Sequence, residues 1–155
     1  MPAEALLIGI ATVAVVIAGF SGITAGLSAD GWDSGQKIRQ RAIVSTSFNV
    51  TFESLVPLVL FALTGNERLS IVLGSAGVAV YALAIILVRA RQMIRARALV
   101  TGFARVMFVA GPVATVLFAA NALYIMSEGV FALALLIQLS VAASSFYALV
   151  SSASS

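Results

Sequence analysis

The run ALLIGIATVAVVIAGFSGITAGL, residues 5–27, contains no charged residue. A helix rises about 1.5 Å per residue and the hydrocarbon layer of a membrane is about 30 Å thick, so about 20 apolar residues cross it once. The run is long enough. Lipid offers no partner to a free backbone N–H or C=O, so a crossing of this kind is expected to be helical. A β-barrel strand would be short and would alternate apolar with polar, which this run does not. Only Met1-Pro2-Ala3-Glu4 precede it, with no basic leader. Its apolar core also exceeds the h-region of a signal peptide, so it reads as a retained span.

Four similar stretches follow, at about 42–64, 69–88, 103–126 and 129–150. The expectation is an all-α, five-span bundle forming one membrane domain over residues 1–155. Composition points the same way. The chain has 155 residues, of which 61% are hydrophobic and 10% charged, whereas a soluble domain is roughly half apolar and a quarter charged. The chain has no Cys and no His. Disulfides, zinc sites and His- or Cys-ligated haem therefore lack their ligands, and no metal or cofactor is expected.

Charge placement sets an expected orientation. Lys37, Arg39 and Arg41 lie between the first two spans, and Arg89, Arg91, Arg95, Arg97 and Arg105 lie at or beside the connector between the third and fourth. Of the nine Lys and Arg residues only Arg68 falls on the other side. The positive-inside rule then puts the N-terminus outside and the C-terminus in the cytoplasm, most simply in a prokaryotic inner membrane. Arg89, Arg91, Arg95 and Arg97 are expected to touch anionic headgroups, with partner docking as the alternative. There is no basic domain and no stacking platform, so nucleic acid is not an expected partner.

Shorter signals agree. Asp30-Gly31 reads as a turn, and Asp33 or Ser34 as the cap of a second helix that starts in water before Arg41. Asn66 reads as the cap of the third helix, with Glu67 in its first turn. Trp32, Phe103, Tyr124 and Tyr147 fall near expected interfaces.

Two patterns carry candidate function. In the first span Ala14, Ala18, Gly22 and Gly26 recur every four residues, ending in GxxxG. Small residues at this spacing allow close backbone approach, either inside one chain or at a seam between subunits. In the second span Ser45, Asn49 and Glu53 form a polar stripe at the same spacing. Glu53 lies twelve residues after Arg41 and thirteen before Asn66, close to the membrane midplane. A carboxylate there, charged and unpaired, costs several kcal/mol, so it is expected to face the bundle interior, a wet cavity or another subunit.

Pro57, four residues on, has no N–H and deprives the Glu53 carbonyl of its helical donor. Pro57 and Pro112 are both expected to kink their helices. Gln138, Thr115 and Tyr81 fall at similar depth and can hydrogen-bond a carboxyl. Asn121 lies nearer the outer surface, where it is a vestibule residue or glue between helices. The Gly74-x-x-Gly77 pair reads as packing.

Enzyme readings fail on residue types. An intramembrane serine hydrolase needs a base beside its serine, yet there is no His, and the single Lys, Lys37, lies in a connector. No Walker A or dinucleotide fingerprint is present. Two functional classes remain. One is an oligomeric ion or proton pathway centred on Glu53. The other is a non-catalytic accessory subunit in which Glu53 pairs with a partner's polar group.

Overall fold

A computed structural model describes residues 2–28, 34–96 and 102–153 of the chain. All regular structure among them is helical: α1 (Glu4–Ser28), α2 (Ser34–Thr64), α3 (Glu67–Ala96), α4 (Gly102–Ala120), a π-helical turn (Asn121–Ile125) and α5 (Glu128–Ala153). Four segments are long and apolar enough to cross a membrane: Glu4–Leu27, Gln36–Thr64, Glu67–Val88 and Glu128–Ser151. The apolar helix at the expected fourth crossing, Val109–Ile125, is shorter than these.

The molecule is inside out by the standards of a soluble domain. Phe20, Ile23, Leu63, Val80, Val116 and Leu123 stand exposed, while Ser21, Ser47, Ser54, Ser70, Ser75, Asn121 and Ser145 are buried. In water this would leave large apolar patches uncovered. In lipid it is the expected distribution. Apolar side chains gain no hydrophobic drive by meeting each other there, so close packing and small or hydrogen-bonding residues mediate helix contact.

Each helix packs on its sequence neighbour, α1 also meets α5, and α2 and α5 touch across the middle. The main core includes Leu7, Ile10 and Ala14 of α1, Val50 of α2, Val78 of α3, Phe118 of α4 and Leu135 of α5. The Phe118 and Phe131 rings meet edge to face, with centroids 5.1 Å apart.

Local chemistry sets the turns. Gly65 takes a positive φ of 64°, which glycine adopts without Cβ strain. The Asn66 side chain then accepts the Leu69 N–H at 3.0 Å, capping α3. At the other hairpin Asn121 is fully buried. Its Nδ2 donates to Ser75 Oγ at 2.9 Å, and its Oδ1 accepts the Ser127 N–H at 2.8 Å. Asn121 is thus glue between α3 and the turn into α5, and not the wall of a vestibule. Met126 closes that turn in the left-handed region, φ 55°, and its sulfur accepts from the Arg68 guanidinium.

The Ala3 N–H reaches Glu128 Oε2 at 2.6 Å, so the start of α1 and the start of α5 lie at one end. Arg39 Nη1 donates to the Ala148 carbonyl at the other end.

α3 continues as helix to Ala96, carrying the backbone of Arg89, Arg91 and Arg95 beyond the apolar segment. Arg97, the Asp30-Gly31 turn, Trp32 and Asp33 lie outside the described residues. Tyr124 and Tyr147 are strongly exposed. Pro57 and Pro112 both sit inside continuous helices.

The small-residue ridge of α1 divides in two. Ala14 and Ala18 are buried, whereas Gly22 and Gly26 are exposed, with nothing within 4 Å of where a Cβ would stand. The alanine half therefore packs inside the chain and the glycine half faces outward. Gly22→Leu should leave the helical content and thermal stability of the monomer unchanged. If the glycine half is a subunit seam, size-exclusion chromatography with light scattering in mild detergent should show the oligomer reduced to monomer. An unchanged elution profile would assign that half to lipid.

Candidate functional site

α2 and α3 run antiparallel in a register that can be followed residue by residue. Pro57 meets Gly74, Glu53 lies beside Gly77 and Val78, and Asn49 meets Tyr81. These positions recur every three or four residues on both helices, so each set lines one face.

The tightest point is Pro57 on Gly74. A Cβ added to Gly74 would stand 3.1 Å from Pro57 Cγ. One turn further from the Gly65 turn the two helices still lie close, but position 77 carries no side chain. A Cβ at Gly77 would meet nothing within 4 Å. The space left open is a cavity of about 330 Å³. Asn49, Phe52, Glu53 and Val56 line it from α2, and Gly77, Val78 and Tyr81 from α3. Phe52 is 66% and Tyr81 48% exposed, so the cavity opens on the outer surface of the bundle.

Glu53 is 5% exposed. The Gln138 side chain of α5 hydrogen-bonds its carboxyl. The other oxygen is enclosed and unpartnered: buried Oε2 has no hydrogen-bond partner among the described residues. An unsatisfied acceptor of this kind costs about 1–3 kcal/mol, and more when charged. Pro57 offers no N–H, so the Glu53 carbonyl also lacks its usual helical donor. Glu53 thus stands where α2, α3 and α5 converge, with an enclosed, unpartnered carboxyl oxygen close to an open space.

The polar stripe turns inward along α2. Ser45 is exposed, Asn49 half-buried and Glu53 buried. Tyr81 donates to Asn49 Oδ1 at 3.1 Å, bridging the two helices one turn away from Glu53.

Of the residues expected around Glu53, the structure brings Asn49 and Tyr81 to the cavity wall and Gln138 to the carboxyl itself. Ser45 is not on that wall. Thr115 is not either: its hydroxyl donates to the Gly111 carbonyl one turn back in α4, at 2.9 Å.

Phe52, Val56 and Val78 escaped the sequence reading, and Gly77, expected with Gly74 to be a packing residue, is instead a gap, since a Cβ there would meet nothing within 4 Å. Phe52 and Val56 were findable as the residues one before and three after Glu53. Gly77 was visible as a glycine, but its role depends on the helix register, which the sequence does not print. In comparisons with known proteins no family model matches the chain, and no curated protein or solved structure matches it.

Proposed function

We propose that the chain is a five-span membrane protein, N-terminus outside, that provides a proton or cation pathway through Glu53. The observation that carries this reading is a buried carboxyl among the residues lining an open cavity, one of its oxygens enclosed with no hydrogen-bond partner among the described residues. Most buried polar atoms find a hydrogen-bond partner, so one that does not calls for an explanation. Ionisable groups inside membrane segments are costly, and they mark ion and proton routes. Asn49 and Tyr81 extend the polar surface toward the basic end of the bundle. The reading is tested by gradient-driven flux in proteoliposomes, wild type against Glu53→Gln. Flux that does not depend on Glu53 removes it.

The lateral opening favours one other reading. A donor from a partner subunit could seat beside the Glu53 carboxyl through the same opening, making the chain an accessory subunit of a larger membrane complex. Co-purification with a stoichiometric second protein, lost in Glu53→Leu, would support it.

The orientation has its own test. The chain has no Cys, so Asn66→Cys and Gln92→Cys can be labelled without background. A membrane-impermeant thiol reagent on intact cells should label the first and spare the second, because eight of nine cations lie on the side of Gln92. Labelling of Gln92→Cys alone would reverse the topology.

A further inference from the structure

The cleft beside Glu53 has the dimensions of a small-molecule site. Its volume of about 330 Å³ falls within the roughly 300–1,000 Å³ of ligand pockets, which are mostly apolar with a few polar groups that fix orientation. It is a poor cage for a hard inorganic cation, which is held by about six or more oxygens. Here Gln138 already bonds the Glu53 carboxyl, and Asn49 Oδ1 already accepts from Tyr81. Among the described residues no three His, Cys, Asp or Glu side chains come together to hold a metal ion.

What the cleft does offer is the Glu53 carboxyl among its lining groups, two aromatic rings and an aliphatic wall. A carboxylate attracts a positive charge, and an aromatic face adds to that attraction when the cation is out of water. An ammonium with apolar substituents sheds its hydration at less cost than a bare metal ion. Its substituents then find Val56 and Val78.

We infer that the α2–α3 cleft binds an amphiphilic organic monocation, an aryl- or alkylammonium, with its charge beside the Glu53 carboxyl, near the Phe52 and Tyr81 rings, and its apolar body against Val56 and Val78. This rests on Glu53 being the ion-handling carboxylate of the pathway proposed above. The side opening lets such a ligand enter from the lipid, where its apolar body already resides.

The probe is tritiated benzyltrimethylammonium, measured by equilibrium binding to the full chain in lipid nanodiscs. Saturable binding to one site per chain is expected. Glu53→Gln should weaken it at least about tenfold by removing the charge, a loss of about 1.4 kcal/mol. Gly77→Leu should abolish it by filling the cleft. Phe52→Ala should weaken it several-fold without touching the bundle interior, since Phe52 is exposed. Neutral neopentylbenzene, of nearly the same shape, should not compete, and neither should sodium or potassium.

Circular dichroism and elution volume identify any variant that misfolds, and the remaining variants then decide. Unsaturable binding, or binding equal in wild type, Glu53→Gln and Phe52→Ala, would overturn the inference. So would displacement by sodium at comparable concentration. Glu53-dependent proton flux without probe binding overturns this inference and keeps the pathway. Probe binding that needs Glu53 and an open cleft, without flux from any protein, keeps the site and removes the pathway.

Discussion

Glu53→Gln should assemble like wild type, with the same elution volume and helical content, and should lose gradient-driven flux down to the level of protein-free liposomes. The substitution keeps the size and the capacity to hydrogen-bond Gln138, but it removes the exchangeable charge. The wild-type rate should vary with pH through a single titrating group, and that dependence should vanish in the variant. Glu53→Leu is the necessary contrast. It takes the partner from the half-buried Gln138 amide, which costs up to about 1 kcal/mol, so it should lower thermal stability whether or not flux exists. The decisive pair is therefore Gln against wild type under an imposed proton or cation gradient. Equal flux, or none from either protein, would leave Glu53 a packing residue or a subunit contact.

The largest effect on folding is expected at Gly74. Adding a Cβ there places it 3.1 Å from Pro57 Cγ, in a ring that cannot rotate away. Gly74→Ala sets two terms against each other. Helix propensity favours alanine by about 0.8–1.0 kcal/mol, and overpacking costs about 1–3 kcal/mol, so the net change should be small and unfavourable. In Gly74→Leu the steric term grows and wins outright. That variant should separate α2 from α3 and lower the melting temperature sharply in detergent. Gly77→Leu, one turn away on the same helix, is the control. Its Cβ meets open space, so the fold should survive. A Gly74→Leu protein as stable as wild type would show that the α2–α3 contact is looser than 3.1 Å implies.

Helix number, helix type and the buried carboxyl were legible in the sequence because each depends on local composition. Apolar runs of full crossing length, separated by charged or turn-forming segments, leave little choice once backbone hydrogen bonding in lipid is considered. The Asn66 cap was legible for the same reason, since capping is decided within four residues. What could not be read was set by register between helices. Gly74 and Gly77 look alike in sequence, yet one is a contact and the other a gap, because Pro57 faces the first and nothing faces the second. Thr115 has the right depth and chemistry, but a threonine in a helix has a nearby carbonyl to bond, and it uses Gly111. The α1 ridge was read as one unit. It splits because only its alanine half lies against the rest of the bundle.

The two-residue connection at Gly65 and Asn66 also bears on the order of assembly. It places every wall residue of the cleft on one hairpin, made of α2 and α3. A chain is synthesised from its N-terminus, and helices can insert before they pack. Every residue of the hairpin, Pro57 and Gly74 included, is therefore synthesised before α4 and α5. Gln138 belongs to the last helix. During synthesis the Glu53 carboxyl waits in the membrane for a partner that is translated some 85 residues later. Closure of α5 onto α2 is then drawn by that unmet hydrogen bond as well as by packing, and the final helix has a specific place to dock.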